Sequence, residues 1–389
     1  MSPGRGPRRP RPWHQPVHPK PSRRRTQGCL SGRSGSVILP VRTVPEGFSA
    51  RPPGLVGGGN SVAPHHQHRS RCLHEHDEKD RAAPGHGGYG GGAVSARLRG
   101  IAQETERIVA AGTYRAPGGH EVSLAAAVDA ARQGTRTHGP QPVDVPAFHP
   151  VPTRIEVTGE SSLEAARRLA DAPADDTPAV LNFASARNPG GGYLNGAQAQ
   201  EEALCRASAL YACLLRARDF YDHHRAHRDP FYTDRVIHSP AVPVFRDDRG
   251  ELLDRPFTAG FLTSPAPNAG VIVSRTPERA RELPRALELR AGRVLETALA
   301  HGYRRLVLGA WGCGVFRNDP AQVAAAFRAH LEPGGRFDGA FAHVVFGILD
   351  RTRDGAVRGA FERAFADLPP DAAALSSSRT APAVAGARG

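Results

Sequence analysis

The chain has 389 residues, with 51 Lys and Arg against 38 Asp and Glu, for a formal net charge of +13. Residues 1–95 hold 15 basic and 5 acidic side chains together with 13 Pro and 16 Gly, so most of the charge lies in a segment too poor in core formers to pack, and the other 294 residues are nearly neutral. No run approaches 18 apolar residues, no apolar stretch of signal-peptide kind follows the basic start, and five cysteines lack a C-x-x-C pair, which excludes a membrane-spanning helix, a secretory signal, a disulfide scaffold and a zinc ribbon and points to a reducing cytoplasm.

Taken in chain order, residues 1–95 read as a disordered basic tail rich in Pro, Gly and His. Its charge suits nucleic acid, though an extension without a role of its own reads more simply. The patch His65-His66-Gln67-His68 with Cys72, His74 and His76 lacks the ligand spacing of a structural metal site. Abundant Arg, Ala, Gly and Pro beside few Lys fits a GC-rich bacterial coding sequence.

Order is expected from about Ser95. Leu98, Ile101, Ile108 and Val109 give helical spacing over 97–111, with Gly112 as the stop. A second helix opens at Ser123 as N-cap and closes at Gly134, and the two form a helical extension over 96–145 that ends in a Pro-rich link.

From Thr153 strands and helices alternate. Strands are expected at 154–159, 179–185, 235–245, 257–263, 305–309 and 342–349. Helices are expected at 161–170, 198–218, 276–301, 320–331 and 355–368. This order describes an α/β domain over 146–368 with a mixed, mostly parallel sheet between helix layers, and residues 369–389 read as a disordered C-terminal tail. In such sheets ligands bind at the carboxyl ends of strands, where this chain places its two glycine-rich loops.

The first loop is Gly190-Gly191-Gly192, after the 179–185 strand. The second is Gly309-Ala310-Trp311-Gly312-Cys313-Gly314-Val315-Phe316, after the 305–309 strand, followed by an Asn318/Asp319 cap and Pro320. Glycine lets a backbone approach a ligand closely, and bare N–H groups beside a helix start suit an anion, so the pair makes a cradle for a diphosphate. Neither loop has the Gly-Lys-Ser/Thr of a nucleotide-triphosphate loop or the G-x-G-x-x-G spacing of a dinucleotide fold. Gln200-Glu201-Glu202 follows at the start of the 198–218 helix. These acids either complement the helix dipole or do chemistry. Adjacent helical residues point about 100° apart, so the two glutamates cannot flank one sugar as the usual glycosidase pair does. One can act on the leaving group while the other orients the sugar, with a substrate phosphate as the second acid/base group.

Gly190-Gly191-Gly192, seven residues, then Gln200-Glu201-Glu202 resembles the signature of poly(ADP-ribose) glycohydrolases, and the longer string from Asn182 to Glu202 looks like the microbial type. The resemblance covers roughly 96–368. It implies a macrodomain fold and hydrolysis of the ribose–ribose O-glycosidic bond of poly(ADP-ribose), without metal or cofactor. It implies Glu202 as the catalytic acid, Glu201 holding the ribose hydroxyls and Gln200 supporting them. Gly190, Gly191 and Gly192 would press on the diphosphate, and Gly312, Cys313, Gly314 and Val315 would wrap its other side. Phe316 would pack on ribose or adenine, Asn182 would read the adenine edge, and Asn188 would contact the ribose.

The chain departs from the animal enzymes in having Ser185 three residues after Asn182 and no identifiable tyrosine clasp over the adenine. An open-ended pocket favours the terminal unit of the polymer, hence exo-cleavage that releases ADP-ribose. The expected partners are poly(ADP-ribose) or ADP-ribosylated proteins, with nucleic acid reached only through the basic tail, and the chain is expected to act as a monomer. A non-catalytic ADP-ribose reader, in which the glutamates only cap their helix, is the alternative. Cys313 lacks a His or Asp placed as its base, and His223, His224 and His227 read as a solvated helix end.

Overall fold

The computed structural model describes residues 91–174 and 176–368. The expectations for residues 1–90, for the His65–His76 patch and for 369–389 lie outside the described residues.

Helix α1 (Gly91–Ala111) begins six residues before the expected 97–111 helix and ends, as expected, at Gly112, whose φ of +70° suits glycine. A small ribbon of β1 (Thr113–Arg115) and β2 (Glu121–Ser123) follows. Ser123 therefore pairs with Thr113 and does not cap α2 (Ala125–Gly134). Leu124 holds that position with no side-chain cap, and the Leu124 and Ala125 N–H groups donate to Gly112 instead.

β3 (Arg136–His138), in what reads from sequence as part of the helical extension and its link, pairs antiparallel with β6 (Val236–Arg246) and so joins the main sheet. β4 (Arg154–Thr158) leads into α3 (Ser162–Asp171), which opens on the expected Ser161. The Ser161 hydroxyl accepts from Glu164 N–H while the Glu164 carboxylate accepts from Ser161 N–H, a reciprocal capping box.

β5 (Ala179–Phe183) runs into the first glycine loop. The single helix expected over 198–218 is instead three: α4 (Gln200–Ala207), α5 (Leu210–Leu214) and α6 (Arg218–Ala226). Ser208 breaks the run by adopting extended backbone and bridging Val244, and Ala209 N–H donates to Pro243 C=O. No Gly or Pro marks the break, because its cause lies in β6, some 35 residues away.

β7 (Leu252–Ser264) is longer than expected and leads to α7 (Ala269–Arg275), a short helix that sequence reasoning passed over. Residues 277–282 form a 3₁₀ turn before α8 (Leu283–Ala300). β8 (Arg305–Leu308), α9 (Pro320–Leu331), β9 (His343–Gly347) and α10 (Ala356–Phe365) complete the order close to expectation.

The seven-stranded sheet runs β3-β6-β7-β5-β8-β9-β4. The β4/β9, β8/β9, β5/β8 and β5/β7 pairs are parallel, while β6/β7 and β3/β6 are antiparallel, so the sheet is mixed and mostly parallel. Both faces are covered. Val180, Val307 and Val345 point into one core with Val128, Leu163, Leu204, Leu210 and Phe220. Leu181, Leu306, Leu308, Val344 and Phe346 point into the other with Leu287, Leu295, Val323, Phe327 and Phe361. Alternate residues of the same apolar runs thus serve opposite layers, which is why the central strands read as nearly continuous hydrophobic segments. No helix of the described residues is long and apolar enough to cross a membrane.

Candidate active site

The parallel strands β5, β8 and β9 lie side by side, and the loops after all three line one cleft of about 1280 Å³. Gly191 and Gly192, Gln200 to Glu202, the 310–316 loop, the 347–352 segment, Tyr232 and the start of α1 all face it.

α4 starts after Ala199, which offers no side-chain cap. The three polar residues of its first turn bond instead to the β5 strand and the loop that follows it. Gln200 Oε1 accepts from Phe183 N–H at 2.9 Å, and Nε2 donates to Leu181 C=O at 2.8 Å and to Ser162 Oγ at 3.1 Å. β8 pairs with β5 only through Ala179 and Val180, so beyond that point the Gln200 amide serves the strand as a neighbouring backbone would.

Glu201 is 2% exposed. Its Oε2 accepts from Ser185 N–H at 2.7 Å and its Oε1 from Asn182 Nδ2 at 3.2 Å, while Asn182 Nδ2 also donates to Thr263 Oγ1 at 3.0 Å. Burial pushes the Glu201 carboxyl up to about 8. The bonds from Ser185 and Asn182 oppose this shift and the neighbouring Glu202 charge adds to it.

Glu202 sits on the other side of the helix start. Its Oε1 accepts from Gly192 N–H at 2.8 Å, and its buried Oε2 has no hydrogen-bond partner among the described residues. The loop geometry requires glycine here. Gly191 has φ +58°, and a Cβ on it would collide with Glu202 Oε1. Gly190, at φ +66°, would meet the Tyr211 ring at 2.9 Å if it carried a Cβ. Tyr193 closes the loop from behind. It is buried, and its hydroxyl lies 3.0 Å from Glu106 Oε1 and 3.2 Å from Ala102 C=O on α1.

In the second loop, a Cβ on Gly309 would meet Gly347 C=O at 2.7 Å, and one on Gly312 (φ +72°) would meet Ala266 Cβ and Asn318 Nδ2 at 2.5 Å. Asn318 Nδ2 donates to Pro267 C=O and to Gly312 C=O, while Asp319 caps α9 through Ala321 N–H. Trp311 is buried and its Nε1 donates to Ser264 C=O, so it packs the loop onto the core. Gly314 has open space around it and Val315 is 79% exposed, which leaves this rim free to meet a ligand. Burial pushes the Cys313 thiol up to about 12, with Asp319 adding to the shift, the opposite of an activated nucleophile.

Most sequence-predicted site residues therefore gather in or beside the cleft: Asn188, Gly191, Gly192, Gln200, Glu201, Glu202, Gly312, Cys313, Gly314, Val315 and Phe316 line it. Asn182 does not. It is fully buried behind Glu201, so instead of facing a base edge it fixes the carboxylate. Gly190 stands behind the loop against Tyr211. Sequence reasoning missed Tyr232, which adopts φ +57° and lies 5.8 Å from Phe316 between ring centroids, and it missed the 347–352 wall. The only signal for Tyr232 was an aromatic pair in a polar loop.

Among the described residues no group of three or more His, Cys, Asp or Glu is arranged to hold a metal. His224, read as part of a solvated end, is buried, its ring nitrogens engaged by Phe220 C=O and Thr233 Oγ1.

A model of the catalytic domain of microbial-type poly(ADP-ribose) glycohydrolase matches residues 102–247. Comparison with curated proteins found no match. Among solved structures the chain is similar to poly(ADP-ribose) glycohydrolase from Thermomonospora curvata, at 50% identity and a TM-score of 0.66 over 69% of this chain and 100% of that one. It is similar to the same enzyme bound to the inhibitor ADP-HPD, at 50% identity and a TM-score of 0.64 over 69% of this chain and 99% of that one. It also resembles the Deinococcus radiodurans enzyme in complex with ADP-ribose, at 44% identity and a TM-score of 0.57 over 64% of this chain and 99% of that one. With half of the matched residues identical to a relative covered along its whole length, the chain belongs to the microbial-type poly(ADP-ribose) glycohydrolase family, a family of glycosidic-bond hydrolases.

Proposed function

We propose that the chain cleaves poly(ADP-ribose) from its end, releasing ADP-ribose, with Glu202 as general acid. Support comes chiefly from Glu202 itself, on the wall of the cleft: one carboxyl oxygen is held by Gly192 N–H inside the glycine loop, and the other is buried without a hydrogen-bond partner among the described residues, a lack that a substrate oxygen would make good. In this reading Glu202 gives its proton to the ribose oxygen that leaves as the bond to the anomeric carbon breaks. The oxocarbenium-like centre is captured by water, and the water's surplus proton restores Glu202. Glu201, whose oxygens are fixed by Ser185 and Asn182, holds the sugar in register, and Gln200 fixes the strand from which that register is set.

The N–H groups around Gly190 to Gly192 and Gly312 to Val315 take the diphosphate, Asn188 meets the ribose, and Phe316 with Tyr232 packs against the nucleoside. The 347–352 segment lines the same cleft, and in this reading the cleft takes the terminal unit of the polymer. The substrates of this reading are poly(ADP-ribose) and ADP-ribosylated proteins. The protein works as a cytoplasmic monomer without metal or cofactor.

Labelled poly(ADP-ribose) incubated with the purified protein should yield mainly free ADP-ribose, and Glu202→Gln should lower its release about 10²- to 10⁴-fold, the range of a lost general acid. Release at the normal rate by the variant would overturn the assignment of the acid. Oligomers as the main early product would overturn the exo reading.

A further inference from the structure

The cleft is also lined by Asn195, Gln198, Arg206 and Arg97, beside the start of α1, where Gly196 packs against Ser95 and Arg99. Arg206 lies four residues after Glu202 in α4 and so shares its face, and side chains on a helix lean toward its N-terminus. The guanidinium accordingly reaches back over the helix start, where Nη1 donates to Ala197 C=O at 2.5 Å. Only 9% of Arg206 is exposed. Its Nε and Nη2 make no hydrogen bond within the described residues and are not sealed off, so they open into the cleft.

Keeping a guanidinium this buried without a carboxylate in ion-pair contact is costly. Burial lowers its affinity for the proton, the Glu202 charge restores some of it, and Arg97 opposes that gain. Arg97, exposed on the first turns of α1, is anchored to Arg249 C=O at 3.1 Å and brings a second guanidinium to the same wall. Asp248 also lines the cleft, but its carboxyl accepts from Ser161 Oγ at 2.7 Å and burial favours its neutral form.

We propose that Arg206 and Arg97 form a phosphate subsite on the leaving side of Glu202, holding the diphosphate of the neighbouring ADP-ribose unit whose ribose oxygen Glu202 protonates. The glycine loops hold the diphosphate of the unit being released through backbone N–H groups. The leaving unit meets side-chain cations, which bind phosphate through charge-assisted hydrogen bonds. The subsite rests on the reading of Glu202 as the acid, because that assignment decides which side of the cleft receives the leaving group.

Two substrates with the same scissile bond separate the ideas. One is a dimer of ADP-ribose. The other is its truncated analogue, in which the leaving unit is a bare adenosine and carries no phosphate. With the full-length protein, Arg206→Gln and Arg97→Gln should each lower kcat/KM for the dimer about tenfold more than for the analogue, and the wild-type preference for the dimer should fade as salt rises. If both variants keep the wild-type ratio of the two kcat/KM values to within twofold, the subsite is wrong. A purely structural role for Arg206 would give that result, since it would harm both substrates alike. Should Arg206→Gln fail to fold, Arg97→Gln decides alone, because its side chain is exposed. Glu202→Gln in the same assay should suppress both substrates. If it does so while the arginine variants leave the ratio unchanged, the subsite falls and the acid stands; if it leaves both rates intact, the acid itself falls.

Discussion

Glu201 and Glu202 are neighbours with different surroundings, and that difference is open to measurement. Both Glu201 oxygens accept hydrogen bonds within the buried wall of the cleft, and burial holds its carboxyl up to about 8 against an ordinary value near 4.5. The native protein therefore keeps a proton that the unfolded chain loses. The stability contributed by this group is complete below about pH 4.5 and is lost as pH rises through about 8. At ~1.4 kcal/mol per pKa unit the loss is of the order of a few kcal/mol. Glu201→Gln keeps the shape and cannot ionise, so its Tm relative to wild type should rise steadily from pH 5 to pH 9. A difference in Tm that does not change with pH would show that Glu201 is not held protonated. The same variant should lower the rate of polymer cleavage, since its amide NH2 would face the Ser185 or Asn182 donor and shift the group that holds the sugar.

Much at this scale was legible, because three glycines followed by paired acids at a helix start allow few readings. What was not legible is the support behind them. Asn182 faces Glu201 and not the cleft because Thr263, on a strand 81 residues away, takes its other bond. The Ser185 contact runs through a backbone N–H, which any residue but Pro would supply.

Among the elements, the first glycine loop and α1 are the pair to test. The loop has its conformation fixed twice, by glycine at positive φ and by Glu202 filling the space of a missing Cβ. Gly191→Ala should displace the Glu202 carboxylate and lower polymer cleavage by at least tenfold, measured as kcat/KM, and an unchanged rate would mean that the loop does not set the position of the acid.

α1 holds the loop from outside through Tyr193, Glu106 and Ala102, while Thr105 Oγ1 donates to Arg206 C=O and accepts from Arg246 Nε. Tyr193→Phe removes the only hydroxyl in the first tie and leaves a half-buried Glu106, already raised by burial, without that donor. A loss of about 1–2 kcal/mol is expected, with faster amide exchange in α1; unchanged protection there would show that packing alone holds the helix.

The periodicity of α1 and the Gly112 stop were readable in the sequence, and so was the β–α alternation after Thr153. The break between α4 and α5 was not, because Ser208 leaves helical geometry to pair with Val244, a tertiary contact that local propensity cannot encode.

For the molecule as a whole, charge and site separate along the chain. Of the net +13, +10 belongs to residues 1–95, while the described cleft residues begin at Val94 and extend to Val357. A polyanion is attracted by any strong positive field, so the N-terminal charge could raise the capture rate of polymer without touching its chemistry, or bind other polyanions altogether. Salt tells these apart, since each phosphate neutralised by a side chain adds nearly one unit to the slope of log affinity against log salt. Removing residues 1–90 should leave kcat/KM for poly(ADP-ribose) within twofold of the full chain at 150 mM salt, while retention on double-stranded DNA at low salt is lost. If the shortened protein instead cleaves polymer tenfold more slowly at low salt and equally well at high salt, the N-terminal charge steers the substrate. Arg97 and Arg206 are retained in both proteins, so a phosphate subsite built on them predicts that some salt dependence survives the deletion.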